Sequence, residues 1–134
     1  MKIFVSNKFG GEDKRNLKRK LKEILSLLEK SGHQTFNAFR DMTNWNANAL
    51  PSGKAISWAF KTIKRCNAIL CFIDNQKPSQ GIFLEVGFAK ALNKKIILLI
   101  SKKCSFPALE AISDCVIKFN NWRDINRELN KVKI

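Results

Sequence analysis

Two rhythms of apolar residues alternate along this 134-residue chain. Short, nearly continuous apolar runs recur at residues 3–5, 68–73, 96–100 and 115–119. Runs of that length, bounded by polar and turn residues, read as strands buried on both faces. Between them the spacing changes to three and four. Leu17, Leu21, Ile24, Leu25 and Leu28 fall on one helical face, and Ile56, Phe60 and Ile63 on another. The first strand is read as residues 2–6, followed by a loop over 7–11 whose two glycines are free to take positive φ. Glu12 and Asp13 suit a helix start, and Ser31-Gly32-His33 stops that helix. Residues 35–39 read as the second strand and 40–52 as a polar, aromatic loop, long enough to suggest function. Ser52-Gly53 opens the next helix, and Ser79 opens another between the strands at 68–73 and 96–100. A short helix at 106–112, a fifth strand at 115–119 and a closing helix at 122–132 complete the reading.

Strand and helix in strict alternation predict a parallel sheet covered on both faces. Right-handed crossovers then make a flavodoxin-like order the natural one. The expectation is a three-layer α/β sandwich with a five-stranded parallel sheet, as one domain over residues 1–134. No internal repeat or low-complexity segment interrupts it.

Composition narrows the function classes. Hydrophobic residues make up 45% and charged residues 27%, a globular balance. The net charge of +14, from 25 basic and 11 acidic residues, suits an anionic partner. The cations are dispersed, however, and those at 14–22 form the polar side of one amphipathic helix. Nucleic acid is therefore not favoured, although charge leaves it open, and a small phosphate-bearing molecule would use the same field. The longest apolar run is too short to span a bilayer, and Met1-Lys2 leads directly into strand residues, so no membrane association and a cytoplasmic setting are expected. The four cysteines show no Cys-x-x-Cys spacing and His33 is the single histidine, which argues against zinc. No cofactor is expected. Cys71 and Cys115 read as small core residues, and Cys66 and Cys104 as exposed thiols.

Candidate chemistry gathers where three loops leave the carboxyl edge of the sheet, at 6–11, 40–48 and 74–81. They bring Ser6, Asn7, Lys8, Arg40, Asp41, Trp45, Asp74, Ser79 and Glu85 to one crevice. Ser79 suits a helix N-cap, and the same helix start, with Gly81 allowing close approach, can hold a phosphate on free backbone N–H groups. From Gly81 to Leu92 only Glu85 and Lys90 carry charge, so Glu85 is a carboxylate on an otherwise apolar helix. A capping box does not explain it, because Ile82 occupies the position that would reach back to Ser79. A half-buried carboxylate beside a helix N-terminus could attack an anomeric carbon, with Asp41 or Asp74 as the second acid. Trp45 could stack on a base or simply cover the core.

Ser79-x-Gly81-x-x-x-Glu85-x-Gly87-x-Ala89-x-Ala91, followed by Lys94-Lys95-Ile96-Ile97, resembles the nucleoside 2-deoxyribosyltransferase family, and within it the deoxynucleoside 5′-monophosphate N-glycosidases. Ile3-Phe4-Val5-Ser6 with Gly10-Gly11-Glu12-Asp13 is similar to that family's first phosphate-side loop, which adds Gly10 to the candidate substrate contacts. The resemblance implies a flavodoxin-like sheet and a glutamate nucleophile at Glu85. That glutamate attacks C1′, the base leaves, and water or another base resolves the covalent intermediate. Ser79, where relatives acting on free nucleosides tend to carry aspartate, implies a nucleoside 5′-monophosphate. The resemblance also implies a homodimer or larger assembly in which a neighbouring subunit closes the site, with Ser105 near the segment that would reach across. The chain departs from the family pattern in three places. Ile3 or Phe4 stands where a tyrosine is usual, Ser57-Trp58-Ala59-Phe60 supplies no aspartate ahead of the third strand, and Phe9 replaces an arginine. A TIR domain is similar in its opening strand and in the placement of serine and glutamate, and would imply cleavage of NAD, again through Glu85. A nucleotide-binding module without catalysis is the remaining alternative.

Overall fold

Five parallel strands lie in the order β2-β1-β3-β4-β5. They are β1 (Lys2–Asn7), β2 (Gln34–Phe36), β3 (Ala68–Ile73), β4 (Lys95–Ser101) and β5 (Cys115–Phe119). The computed structural model describes residues 1–48, 51–131 and 134. The helices are α1 (Lys14–Lys30), α2 (Ala38–Thr43), α3 (Ser52–Lys64), α4 (Gln80–Ala91), α5 (Pro107–Ile112) and α6 (Ile125–Asn130).

The period of two along each strand divides the core between two faces. Ile3, Val5, Leu70, Phe72, Ile97 and Leu99 meet Leu17, Leu21, Ile24 and Leu28 of α1 and Ile125 and Leu129 of α6. Phe4, Ile69, Cys71, Ile73, Ile96 and Leu98 meet Ala59 and Ile63 of α3, Ile82, Val86 and Ala89 of α4, and Leu109 of α5. This is the expected three-layer sandwich. Its strand order reverses between β1 and β3, which opens a crevice at their carboxyl ends.

Local chemistry explains the element ends. Asp13 caps α1 by accepting from the backbone N–H groups of Arg15 and Asn16. Gly32, at φ 93°, takes the left-handed conformation that ends it. Of the two glycines in the first loop only Gly11 uses positive φ, at 75°.

Four expectations are corrected. The second strand stops at Phe36, because Asn37 caps a short helix where the sequence predicts strand and loop. The Asn37 Oδ1 accepts from Arg40 N at 3.2 Å, while the Asp41 carboxylate accepts from Asn37 N at 2.9 Å. This reciprocal cap outweighs the extended propensity of Phe39. The loop at 40–52 is accordingly shortened, and its residues 49 and 50 lie outside the described residues. The closing helix is also shorter. Trp122–Asp124 forms a 3-10 turn before α6, because Trp122 turns inward to pack on Phe72 and Phe119 and donates to Glu23 at 2.7 Å. Residue 132 lies outside the described residues. Among the cysteines, Cys66 is buried under α3, whereas Cys115 on the edge strand is only half-buried.

The fourth correction concerns α4. Its apolar circumference predicts burial all round, yet only Ile82, Val86 and Ala89 are buried. Phe83 and Leu84 are 43% and 55% exposed. Among the described residues the outer apolar face of this helix is covered only in part, Phe83 packing on Phe106.

Candidate functional site

The α4 N-terminus stands at the topological switch point, and its first turns supply the centre of the site. Ser79 caps the helix, its Oγ accepting from Ile82 N at 3.3 Å. A Cβ built on Gly81 would meet only Ser79 Oγ, at 3.9 Å. The fold itself therefore does not require glycine there, and the missing side chain leaves the first turn open to a ligand approaching the backbone.

Glu85 lies beyond that turn and faces β1. The Ser6 hydroxyl donates to its Oε1 at 2.5 Å. Burial pushes the Glu85 carboxyl up to about 7, and the Ser6 hydrogen bond only partly opposes it. Cys71, the register partner of Ser6 on β3, is fully buried close by. Its thiol is held well above the ordinary range, first by burial and then by the Glu85 charge.

Glu85 lines a crevice of about 640 Å³, a volume suited to a small-molecule ligand. Lys8, Phe9 and Gly10 form one wall, Phe39 and the α3 start at Ser52-Gly53 another, and Ser79, Gly81 and Leu84 a third. The charge pattern is simple. Among the described lining residues Glu85 is the single acid and Lys8 the single base. Phe9 and Phe39 meet edge to face at 5.0 Å between ring centroids and make an apolar wall. The arrangement offers one carboxylate in a half-apolar cavity, with an ammonium and a capped helix start at its mouth. It can attack an electrophilic carbon and hold an anion beside it.

The structure sorts the residues expected at the site. Lys8, Gly10, Ser79, Gly81 and Glu85 share the crevice, and Asn7 lines it as well. The Asn7 side chain is engaged elsewhere, accepting from Asn37 Nδ2 at 2.9 Å and donating to Lys8 O at 3.1 Å. Ser6 is buried behind the crevice on Glu85 rather than in its lining. Arg40, Asp41 and Trp45 are not brought to it. The start of α2 turns them toward α1, where Arg40 pairs with Glu29 and Asp41, both at 2.7 Å. Trp45 packs on Phe39, and it lines a separate open groove with Arg40 and Lys22. Asp74 is also placed apart. It pairs with Lys20 at 2.5 Å and lines a small neighbouring cavity of about 20 Å³ beyond Lys8 and Ser79. Neither Asp41 nor Asp74, the residues expected to supply a second acid, lines the crevice beside Glu85. We expect Asp74→Asn to change turnover by less than about threefold, since it removes a part-buried ion pair outside the crevice; a loss above a hundredfold in a turnover assay would place Asp74 in the chemistry.

Sequence reasoning missed Phe39, Ser52, Gly53 and Leu84 as lining residues. The Asn37 and Asp41 capping pattern could have signalled the turn that brings Phe39 in. Nothing local marks Leu84 as facing the crevice.

Solved structures carry the same architecture. The CMP N-glycosidase of Clostridium botulinum superposes with a TM-score of 0.72 at 21% identity, covering 98% of this chain and 100% of that one. The 2-deoxyribosyltransferase of Bacillus psychrosaccharolyticus gives a TM-score of 0.62 at 21% identity, over 94% of this chain and 90% of that one. A 2-desoxiribosyltransferase from Leishmania mexicana gives 0.58 at 16% identity, over 74% and 63%. At these identities the likeness speaks for the fold. No curated protein is matched by the sequence. The sequence model described as nucleoside 2-deoxyribosyltransferase matches residues 4–125, nearly the whole sandwich together with the Ser79–Glu85 helix start. With that match, the chain belongs to the nucleoside 2-deoxyribosyltransferase family of enzymes.

Proposed function

We propose that this protein cleaves, or exchanges, the N-glycosidic bond of a nucleoside or deoxynucleoside 5′-monophosphate, with Glu85 as the nucleophile. The observation that carries this reading is the placement of Glu85 as the single acid among the described residues lining the crevice, close to the α4 start. A carboxylate attacking C1′ forms a glycosyl ester, and water or a second base resolves it. Burial makes the carboxylate a stronger base and nucleophile than one in water, at the cost of being half protonated near pH 7. We assign the 5′-phosphate to Lys8, the Ser79 cap and Gly81, which line the same crevice as Glu85. The family assignment supports the reaction class. The CMP N-glycosidase among the structural neighbours acts, by its name, on a nucleoside monophosphate.

The reading extends to assembly. Phe83 and Leu84 leave an apolar stripe on α4 at the rim of the crevice, and a second copy of the chain is the occupant we propose for it. A cytoplasmic setting suits four unpaired cysteines. Among the described residues no helix is long and apolar enough to cross a membrane.

Incubation with each nucleoside and deoxynucleoside 5′-monophosphate, followed by chromatography for free base, tests the reading. We expect base release from at least one substrate, and a new nucleotide if a second free base is added to a transferase. No release from any substrate, with wild type indistinguishable from Glu85→Ala, rejects it. The phosphate end has its own test. Gly81→Ala should raise KM for the 5′-monophosphate severalfold by placing a methyl at the first turn, while the melting temperature stays close to wild type because a Cβ there meets only Ser79 Oγ, at 3.9 Å. An unchanged KM would move the phosphate elsewhere.

A further inference from the structure

Ser6 is an unusual occupant of a central strand. It is 1% exposed, on the same face of β1 as Phe4, where an apolar side chain would pack without needing a partner. Its hydroxyl has one duty. It donates to Glu85 Oε1 at 2.5 Å across a separation of 79 residues. Among the described residues no other side chain hydrogen-bonds to the Glu85 carboxylate, and no ion pair reaches it. The nucleophile is therefore held by a neutral hydroxyl on a rigid strand.

We propose that Ser6 is the positioning residue of the nucleophile: it claims Oε1 of Glu85 and leaves Oε2 as the oxygen that attacks. This inference rests on the reading of Glu85 as nucleophile. In the first step an Oε2 lone pair forms the bond to C1′. The C1′–N bond breaks, and its electron pair leaves with the base, which takes up a proton from solvent. In the resulting ester Oε1 is the carbonyl oxygen and goes on accepting from Ser6. In the second step a water oxygen bonds to C1′, the Oε2–C1′ bond breaks, and its electron pair returns to the carboxylate. The water's surplus proton passes to solvent. Charge that reappears on the carboxylate is met by the same hydroxyl, already in place.

A hydroxyl suits this duty better than an ion-pair partner. It fixes the carboxylate's rotation without neutralising it, and it does not titrate in the working range. Because the bond favours the ionised carboxyl, its removal also has a signature that loss of packing would not produce.

The test compares wild type, Ser6→Ala, Ser6→Thr and Glu85→Gln on a nucleoside 5′-monophosphate that wild type consumes, with kcat and KM followed from pH 5 to 9. The Glu85 carboxyl of wild type and Ser6→Ala is also titrated directly by carbon NMR. We expect Ser6→Ala to lower kcat about ten- to hundredfold, with KM within about threefold. The acid limb of the pH profile and the titration midpoint should both move about one unit upward. Ser6→Thr, which keeps the hydroxyl, should recover the wild-type midpoint. An unmoved midpoint in Ser6→Ala overturns the assignment, whatever happens to kcat. So does a kcat loss matched by an equal rise in KM. If wild type consumes no nucleoside 5′-monophosphate, the reading of Glu85 fails; the carbon NMR titration still runs, and there an unmoved midpoint in Ser6→Ala overturns the Ser6–Glu85 pairing while an upward move upholds it.

Discussion

Glu85→Gln is expected to abolish base release, by at least about a thousandfold, and at the same time to stabilise the fold. The first effect follows from removing the single acid among the described lining residues of the crevice. The second follows from what ionisation costs at this position. The folded chain binds the Glu85 proton with a midpoint of about 7, against 4.5 for the ordinary side chain. Between those values the folded state keeps a proton that the unfolded state releases. Stability from this group is fully present below about pH 4.5 and is lost as pH rises through 7. At about 1.4 kcal/mol per unit of pH over that window, the loss reaches about 3 kcal/mol. Glutamine is nearly isosteric, can accept from Ser6 through its Oε1, and does not ionise. Its melting temperature should match wild type near pH 4.5 and exceed it by several degrees at pH 8. Melting curves of both proteins at pH 4.5, 6 and 8 decide this, because every other titrating group cancels in the difference. A gap that does not grow with pH would mean Glu85 is no more costly to ionise than a surface carboxylate. Activity should rise with pH on its acid side, with a midpoint near 7 for free enzyme.

Leu84→Lys should separate a dimer into single chains and take activity with it. Leu84 is 55% exposed on a helix whose opposite side is core, and it also lines the crevice. Its neighbour Phe83, 43% exposed, packs edge to face against Phe106 and continues the patch. Covering such a stripe recovers roughly 25 cal/mol for each Å² of apolar area. A lysine in its middle would place an unpaired ammonium in the interface. We expect sedimentation of wild type as a dimer and of the variant as a monomer, with turnover reduced at least about tenfold at micromolar protein. Raising the protein concentration should restore part of that turnover, which a purely local defect in the crevice would not show. Val116→Lys, at a 38% exposed position on the edge strand, serves as the control and should change neither property. A monomeric wild type with full activity would leave the α4 stripe without a role in catalysis.

How much of this was legible beforehand can be followed through particular residues. The five strands, the long α1 and the Ser79 cap were readable because each depends on neighbours a few positions away. Apolar spacing at Leu17, Leu21 and Ile24 and the run at residues 96–100 report which side of an element is buried. Glu85 was conspicuous for the same reason, as a charge where its own helix is apolar. Other features resisted. The reciprocal cap of Asn37 and Asp41 is a local pattern, but it competes with extended propensity across the same residues, and hydrogen bonds decide the contest. That cap turns Arg40 and Trp45 toward α1 and away from the crevice. The Asp74–Lys20 pair joins residues 54 positions apart. It comes from the fit of α1 over the end of β3, which no spacing within either element reveals.

The order of elements, the parallel sheet and the presence of an acid on the α4 start were determined by sequence alone, because periodicity and capping act over a turn or a strand. Tertiary structure decided which groups that acid meets and which side of its helix stays bare. Strand register places Ser6 beside Cys71, and the crossover into α4 lays Glu85 over that pair. An apolar face states that it must be covered but not by what. For Ile82, Val86 and Ala89 the sheet covers it, whereas among the described residues Phe83 and Leu84 stay exposed, with Phe106 alone packing on the Phe83 ring.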